Sequence, residues 1–264
     1  AVTEAGGAPI NNLSVRAWGY VSNAEAGHAD TDASGLYTIT YLAAGDYRVS
    51  TCAECRGQNY LDEYYNHVVD VSLAARVPVT AARTTGGINF ALQSGGIISG
   101  FVYDAGGAGL ANMNVNVEGG GHRQCTAADG GYALTRLPSG SYKVWSSGGD
   151  CGGDPRYIAQ FWRNVLSADA ATPITLTTTI RRVTGITFAL QLGGSITGVV
   201  TIEGAGPLAG AEIVVNTQNG NWTRTDASGV YTATAIPSGV YRVLAQSPGY
   251  IGEYYNNRLA EGQA

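Results

Sequence analysis

The sequence predicts an all-β protein: three tandem antiparallel β-sandwich modules in a row, of which the terminal modules are incomplete. One observation is an internal repeat, because residues 86–102 and 184–200 are identical at 11 of 17 aligned positions, at an offset of 98. In both copies apolar residues alternate with small or polar ones, which is the period of a half-buried strand. The 38 glycines suit short strands joined by tight turns. The offset favours modules of about 100 residues, a size that can bury its own core.

The offset also sets the module boundaries, and the three ranges, called modules 1, 2 and 3, are residues 1–93, 94–191 and 192–264. Little more than a Gly-Gly pair separates the closing strand of one module from the opening strand of the next. We therefore expect stiff joints. Alignment sets Ala1 against Val199 and Ala264 against Ala171, so module 1 is expected to lack part of its opening strand and module 3 its last two strands.

A complete third module would add the equivalent of residues 172–198, 27 in all. This gap allows two interpretations. In the first, the chain is a window cut from a longer array, and neighbouring repeats supply the missing strands. In the second, a neighbouring molecule pairs with the apolar edge that an incomplete sandwich exposes.

Each module repeats its elements in the same order after the opening strand. An alternating strand follows a short turn, at residues 13–18, 113–117 and 211–215. A turn rich in Asp, Ser and Gly comes next, at residues 31–37, 126–132 and 225–231. In such a turn Gly accepts a positive φ and Asp binds nearby amides.

The second half of each module begins with a Gly-x-Tyr-basic-Val strand, at residues 45–49, 140–144 and 239–243. Its Tyr and Val fall on one face and its basic residue on the other. An aromatic octad follows, at residues 60–67, 157–164 and 250–257. Modules 1 and 2 then add a Thr-rich strand, at residues 77–80 and 172–177, before the closing strand.

Module 3 combines the motifs Gly-Gly-Ser-Ile-Thr-Gly-Val-Val, Pro-Leu-Ala-Gly-Ala-Glu-Ile, Thr-Asp-Ala-Ser-Gly-Val-Tyr and Pro-Ser-Gly-Val-Tyr-Arg-Val. This combination resembles carboxypeptidase regulatory-like domains, which belong with transthyretin-like and collagen-adhesin B-type sandwiches. The resemblance implies a seven-stranded antiparallel sandwich of the Ig-like/transthyretin-like kind, used as a spacer or stalk on secreted and cell-surface proteins. Some relatives carry a Lys to Asn isopeptide crosslink. The single lysine, Lys143, lies in the wrong strand for one, so none is expected.

The charge and hydropathy of the sequence argue against a nucleic-acid-binding protein and against a membrane-spanning one. Only 13% of residues are charged and the net charge is -5, so no basic stripe exists to bind nucleic acid. The sequence contains no run of 18 apolar residues, so no membrane-spanning segment is predicted. The first residue is Ala, not Met, and the sequence contains no basic region followed by an apolar segment, which fits a processed secreted protein or an excised piece. We expect an extracellular or cell-surface location, where a weakly charged surface favours self-association.

The four cysteines allow three pairings. Cys52 with Cys55 and Cys125 with Cys151 are favoured because each pair then stays inside one module, as structural bridges in an oxidising compartment. A zinc half-site or a redox motif at Cys52-Ala-Glu-Cys55 is the rival interpretation. No second half-site lies nearby and no βαβ pattern surrounds it.

The sequence contains no recognisable pattern of catalytic residues, and no cofactor is expected. His28, His67 and His122 are predicted to lie scattered in turns and loops, without a repeated carboxylate or nucleophile beside them. Asp30 and Asp32 form a weak calcium candidate, since the same residues suit a plain turn. No other metal site is predicted.

The aromatic octads are the best binding candidates: Tyr64, Tyr65, Phe161, Trp162, Tyr254 and Tyr255. Their rings either pack over an open sandwich edge or anchor an interface and stack on sugars. Two glycosylation sequons begin at Asn12 and Asn221.

These observations predict a non-enzymatic extracellular structural repeat protein, a stalk or a subunit of a surface filament or layer that assembles head to tail. The expected partners are further copies of the chain or neighbouring repeats of a longer chain, with surface glycans as a further candidate. The alternative is a carbohydrate-binding or spacer segment of a larger secreted hydrolase.

Overall fold

The computed structural model describes residues 1–217 and 220–256, and this part of the chain is built from β-strands joined by turns, with two short 3-10 helices. The predicted all-β class is thus confirmed. Within the described residues, no helix has the length and apolar character needed to cross a membrane. The chain divides into two compact units. Unit 1 comprises Ala1–Ile97, Thr135–Ser139 and Thr178–Arg181, and unit 2 comprises Ile98–Leu134, Gly140–Thr177 and Arg182–Ala264. The three module ranges remain a prediction.

Unit 1 holds the elements of module 1. They are β1 Val2–Glu4, β2 Ser14–Gly19, β3 Glu25–Asp30, β4 Gly45–Cys52, the 3-10 helices Glu54–Arg56 and Val71–Leu73, β5 Val77–Val79 and β6 Phe90–Leu92. The sheet β3-β2-β4-β5 is antiparallel, and β1 pairs with β6 in a second, two-stranded sheet. Side chains from both sheets meet in one core cluster that includes Val2, Val15, Val49, Phe90 and Leu92. This arrangement is a β-sandwich.

Module 2 contributes the next strands, most of whose residues belong to unit 2. They are β7 Gly96–Asp104, β8 Asn114–Val117, β9 Arg123–Cys125, β10 Gly131–Leu137, β11 Gly140–Tyr142, β12 Val144–Ser147, β13 Gln160–Phe161, β14 Ile174–Leu176, β15 Arg182–Val183 and β16 Phe188–Leu190. One sheet has the order β13-β12-β8-β9, and another has β10-β7-β15 with β16 also paired to β7. A third sheet joins β11 to β14.

The strands of module 3 complete unit 2. They are β17 Gly194–Val199, β18 Thr201–Ile202, β19 Gly206–Pro207, β20 Glu212–Val215, β21 Asn221–Arg224, β22 Val230–Ile236, β23 Val243–Gln246 and β24 Glu253–Tyr254. The sheet β21-β20-β23-β24 is antiparallel and matches β9-β8-β12-β13 of module 2 strand for strand. β17 pairs with β22 and β18 with β19.

The predicted turn rich in Asp, Ser and Gly is held by a buried threonine in all three modules. The Thr126 hydroxyl donates to the carbonyl of Leu110 at 2.5 Å and accepts the amide of Met113 at 2.9 Å. Thr31 and Thr225 make the equivalent bonds. One hydroxyl thereby satisfies two backbone groups that the turn leaves inside the protein. The sequence comparison included this residue in the motif but did not predict its role.

A glycine is required where that turn meets the opening strand. Gly130 has a φ of 83°, and a Cβ added there would lie 2.3 Å from the carbonyl oxygen of Val102. Its own carbonyl accepts the Val102 amide at 2.9 Å. Only glycine combines this conformation with such a close approach.

The opening and closing strands of a module pair in parallel, a relation that the sequence motifs did not predict. Val2 lies opposite Phe90 in module 1, and Val102 lies opposite Phe188 in module 2. A parallel pair needs a crossover connection, and the intervening strands of the module supply it. The other sheets whose registers are described pair in antiparallel fashion, as the family resemblance implied.

Module 1 differs from the other modules at residues 36–42. Their counterparts form β10 and β22, which pair with the opening strands β7 and β17. In module 1 these residues form no strand, and Tyr41 is fully exposed. The opening strand β1 has three residues, whereas its counterpart β7 has nine.

Candidate functional site

The four cysteines form two disulfides. Cys52 at the end of β4 is bonded to Cys55 in the first 3-10 helix, with 5.4 Å between the Cα atoms. Cys125 at the end of β9 is bonded to Cys151, 26 residues away, with 5.7 Å between the Cα atoms. Each bridge lies inside one predicted module. Because both sulfurs of the Cys-Ala-Glu-Cys segment are bonded to each other, neither provides the thiolate that zinc requires.

The two aspartates of the calcium candidate are bound to other groups. Asp30 forms an ion pair with Arg56, whose Nε donates to Oδ1 at 3.0 Å. Asp32 Oδ1 accepts the amides of Ser34 at 2.8 Å and Leu36 at 2.9 Å, which is the geometry of an Asx turn. Among the described residues no group of three or more His, Cys, Asp or Glu side chains is arranged to hold a metal ion.

The histidines lie apart from one another, with one correction to the predicted placement. His28 lies within strand β3, where it faces Glu25 at 2.9 Å, because β3 continues the hairpin farther than the turn residues indicated. His67 lies in a turn, 3.0 Å from Glu63. His122 lies in the loop before β9. The burial of Glu63 raises the pKa of its carboxyl group, and His67 partly offsets this rise.

The two sequons have different surroundings. Asn12 is exposed at a turn with a φ of 55°, although Leu13 and Ser14 beside it are buried at the start of β2. Asn221 begins β21, and its side-chain nitrogen donates to the carbonyl of Thr234 at 2.7 Å. A glycan on Asn221 would have to replace that hydrogen bond, so Asn12 is the more accessible of the two acceptors.

The aromatic octads lie along one edge of the larger sheet in each module. Tyr64 bridges to Ser50 of β4, Phe161 pairs with Trp145 of β12, and Tyr254 pairs with Leu244 of β23. Packing differs among the six predicted side chains. Phe161 is buried, Tyr64 and Tyr254 are half-buried, and Tyr255 is exposed. The Tyr65 ring packs edge-on against Phe90. The Trp162 ring lies under the guanidinium of Arg163.

A tyrosine from the turn motif fixes the closing strand in modules 1 and 2. The Tyr132 hydroxyl donates to the carbonyl of Ile186 at 2.5 Å, and the Tyr37 hydroxyl donates to that of Ile88 at 2.7 Å. Burial is the main cause that raises the pKa of both phenols above the ordinary value, and Tyr65 adds to the rise at Tyr37. Both phenols therefore stay protonated as donors to the strand.

These two tyrosines predict a loss of stability at high pH. The unfolded phenol has a pKa of about 10. Since the folded pKa is higher, the full stability is present below about pH 10 and falls as pH rises further, by about 1.4 kcal/mol per pH unit for each phenol. We expect thermal melting to show a lower Tm at about pH 11 than at about pH 9. Tyr132→Phe should reduce this pH dependence, whereas an unchanged slope in Tyr37→Phe and Tyr132→Phe would contradict the assignment.

The first joint is held tightly within unit 1. The Asn59 side chain donates to the carbonyl of Gly95 at 2.7 Å and accepts the amide of Arg136 at 2.7 Å. A Cβ on Gly95 would lie 2.5 Å from the Cα of Arg136. This contact explains why a glycine stands at the joint.

Module 3 carries most of the exposed apolar surface of unit 2. Among the described residues of this module, the exposed large apolar side chains are Leu192, Val199, Trp222, Val230, Val240, Tyr250, Ile251 and Tyr255. Val215, Ala233 and Ile236 form a buried core cluster in this module, with half-buried neighbours. These exposed side chains make module 3 a candidate interaction surface.

Unit 2 also contains a cleft of about 630 Å³. Aromatic rings of Trp145, Tyr157, Phe161 and Tyr241 line it, together with the amide side chains of Gln160, Asn216 and Asn221. None of the described residues that line this cleft is charged. Aromatic faces with uncharged hydrogen-bonding groups suit a neutral polar ligand better than an ion.

Comparison with solved structures gives distant likenesses. A streptococcal ancillary pilin has 12% identity and a TM-score of 0.29, with coverage of 95% of this chain and 89% of the pilin. BcpA, the major pilin subunit of Bacillus cereus, has 11% identity and a TM-score of 0.24, with coverage of 93% and 86%. The Bacillus anthracis TIE protein has 13% identity and a TM-score of 0.28 over 97% of this chain, which spans 47% of that protein. Because all three TM-scores are below 0.5, the likenesses carry no function over to this chain.

Comparison with protein families and curated proteins gives one match. No curated protein matches the chain. Residues 195–264 match the family model described as the carboxypeptidase regulatory-like domain. These residues contain the motifs of module 3 on which the resemblance was based, except for the first two glycines of the opening motif. The match covers 70 of the 264 residues, and over this range the predicted resemblance to carboxypeptidase regulatory-like domains is confirmed.

Proposed function

We propose that the chain is a non-enzymatic extracellular structural repeat protein, a stalk or a subunit of a surface filament or layer that assembles head to tail. The apolar surface of module 3 supports this proposal most. Trp222, Val240, Ile251 and Tyr255 are exposed, with 66% of Trp222 and more of the other three in contact with solvent. Side chains of this kind form the centre of protein interfaces, where they exclude water from a partner.

The charge of the chain supports association. Thirty-five charged residues, 15 basic and 20 acidic, are spread over 264 positions, and the net charge is -5. The ion pairs Arg16 to Glu25 and Arg76 to Asp46 lie at the surface, where such pairs contribute little. Copies of the chain would therefore repel each other only weakly. An apolar contact between two copies has little electrostatic repulsion to overcome.

The disulfides support the location. Bonds between cysteines persist outside the cytosol, where no thiol pool reduces them. Cys125 to Cys151 links strand β9 to a glycine-rich loop that contains no strand. An extracellular structural protein benefits from such a bond, since it limits local opening of the loop.

Light scattering with negative-stain microscopy on the 264-residue chain tests the proposal. We expect the mean mass to rise with protein concentration and filaments to appear. Because the contact is apolar, added salt should not dissolve them. Ile251→Glu should lower the assembled fraction, and Val21→Glu in module 1 is the control, since Val21 is 91% exposed and Ile251 81%. Monomers at every concentration would contradict assembly and leave a spacer role.

The uncharged cleft favours one alternative, a carbohydrate-binding segment of a larger secreted hydrolase. Neutral sugars bind where aromatic rings stack on their faces and amides bind their hydroxyls. Trp145, Tyr157 and Asn216 offer this combination. Retardation of the chain in native gels that contain a neutral polysaccharide, abolished by Trp145→Ala, would favour the alternative over assembly.

A further inference from the structure

We propose that three amide side chains in the uncharged cleft of unit 2 select a neutral saccharide by a fixed pattern of hydrogen-bond donors and acceptors. The ligand would donate hydroxyl groups to two amide oxygens and would present an oxygen to one amide nitrogen. This inference rests on the carbohydrate-binding alternative above and specifies how its site chooses a ligand. It does not require self-assembly of the chain.

Two separate pairs of strands form the walls of the cleft. Trp145 of β12 and Phe161 of β13 lie opposite each other in register and belong to one wall. The ends of β20 and β21 supply the other wall, with Asn216 directly after β20 and Asn221 at the start of β21. The volume of about 630 Å³ lies within the range of about 300 to 1,000 Å³ that small-molecule sites have.

The Gln160 side chain has a fixed orientation in the cleft, because its amide nitrogen is bound inside the protein. Nε2 donates to the carbonyl of Ala189 at 3.1 Å and to Oδ1 of Asn164 at 3.0 Å. Since a backbone carbonyl can only accept, Nε2 and Oε1 cannot exchange places. Gln160 is 5% exposed and lines the cleft, so the group that it offers to a ligand is the acceptor Oε1.

The two asparagines of the cleft are oriented in opposite ways. Asn221 Nδ2 donates to the carbonyl of Thr234 at 2.7 Å, which leaves Oδ1 as a second acceptor for a ligand. Asn216 Oδ1 accepts the backbone amide of Arg242 at 2.9 Å, which leaves Nδ2 as a donor. Each orientation is set by a backbone group that can act in only one sense. The site therefore offers two acceptor oxygens and the Asn216 donor before any ligand arrives.

This arrangement fits a neutral saccharide better than other small ligands. Hydroxyl groups donate and accept, so a sugar can satisfy amide oxygens and an amide nitrogen at the same time. The rings of Trp145, Tyr157 and Tyr241 supply apolar surfaces for the C–H face of a sugar ring. A carboxylate would bring negative charge to the amide oxygens, and no cation stands among the described residues of the lining to balance it. A purely apolar ligand would leave the amides without partners.

An oligosaccharide array tests the ligand class. The labelled 264-residue chain is applied to neutral oligosaccharides of glucose, galactose, mannose, xylose and N-acetylglucosamine, and to oligosaccharides of glucuronic and galacturonic acid. We expect saturable binding to at least one neutral series, and binding to the acidic series that is about tenfold weaker or absent. Binding to none of them, or equal binding to acidic and neutral series, would overturn the proposal.

Asn216→Asp tests the donor directly. The aspartate keeps an oxygen for the Arg242 amide, so the local hydrogen bond survives, but a charged acceptor replaces the donor Nδ2. We expect titration calorimetry with the neutral oligosaccharide to show about a tenfold loss of affinity, with little change in Tm. An unchanged affinity would contradict the assigned pattern.

Two aromatic variants provide a matched comparison. Trp145 lines the cleft, whereas Phe101 is a surface residue of the same module and lies outside the lining. Trp145→Ala should abolish saccharide binding, and Phe101→Ala should bind like the parent chain. Thermal melting establishes that both variants are folded. If Trp145→Ala unfolds, the result for Asn216→Asp decides.

The outcomes separate this inference from the proposed functions. Binding that is lost in Trp145→Ala but unaffected in Asn216→Asp would retain a carbohydrate-binding segment and overturn the amide pattern. Absence of binding to every oligosaccharide would overturn both the inference and the carbohydrate-binding alternative. Assembly is measured separately by light scattering, so neither outcome decides it.

Discussion

Phe188→Ala is expected to destabilise module 2 by about 3 to 5 kcal/mol. Phe188 has no solvent exposure, lies in the closing strand β16 and has its ring centroid 6.1 Å from that of Tyr132. Its replacement removes the buried ring and leaves a cavity between the opening and closing strands. Because close-packed neighbours collapse only partly, the cost includes both lost burial and the cavity.

Urea denaturation with a tyrosine fluorescence readout measures this effect. Since the chain divides into two compact units, the expected result is an earlier transition for part of the signal and an unchanged remainder. Phe101→Ala is the control, because Phe101 belongs to the same module but is 40% exposed and stacks on Tyr103 at the surface. A cost at Phe101 as large as that at Phe188 would contradict the packing described.

Removal of the Cys125 to Cys151 disulfide is expected to cost about 3 to 4 kcal/mol. The bond closes a loop of 26 residues, and a crosslink lowers the entropy of the unfolded chain more as the closed loop lengthens. Cys125→Ala with Cys151→Ala, compared with the parent chain by thermal melting, gives the value. The loop after β12 should also exchange its amides faster, since β9 no longer holds it.

The second disulfide provides the control for this effect. Cys52 and Cys55 are three residues apart, so the same relation gives about 1.5 kcal/mol for their removal. Cys52→Ser with Cys55→Ser should therefore lower the Tm less than the Cys125 and Cys151 double variant. The reverse order would show that the shorter bridge acts by holding the folded state around Glu54–Arg56 and not through loop entropy.

Periodicity was sufficient to predict the fold class. Tyr47 and Val49 are buried and Arg48 between them is half-buried, as the alternation in their strand requires. The turn residues also matched their chemistry, since Asp32 and Asp226 both accept amides in Asx turns. These features depend on residues close in sequence, which is why a single sequence predicts them.

Contacts between residues that are far apart in sequence could not be predicted from local patterns. The parallel pairing of Val102 with Phe188 spans most of a module, and no local pattern gives its direction or register. The uncharged cleft draws on Trp145, Tyr157 and Tyr241, which belong to separate elements. The role of Thr126 was readable in principle, because a threonine recurs at that position in all three turns.

The parallel pairing of opening and closing strands determines how a module responds to tension. Force that enters at the start of β7 and leaves at the end of β16 pulls the two strands along their axes in opposite directions. All backbone hydrogen bonds between Val102 to Asp104 and Phe188 to Leu190 then bear the load together, because parallel bonds are evenly spaced along the pair. They must shear at once, whereas a hairpin pulled at its open end separates one bond at a time. The strands that begin and end a module thus form a mechanical clamp across it.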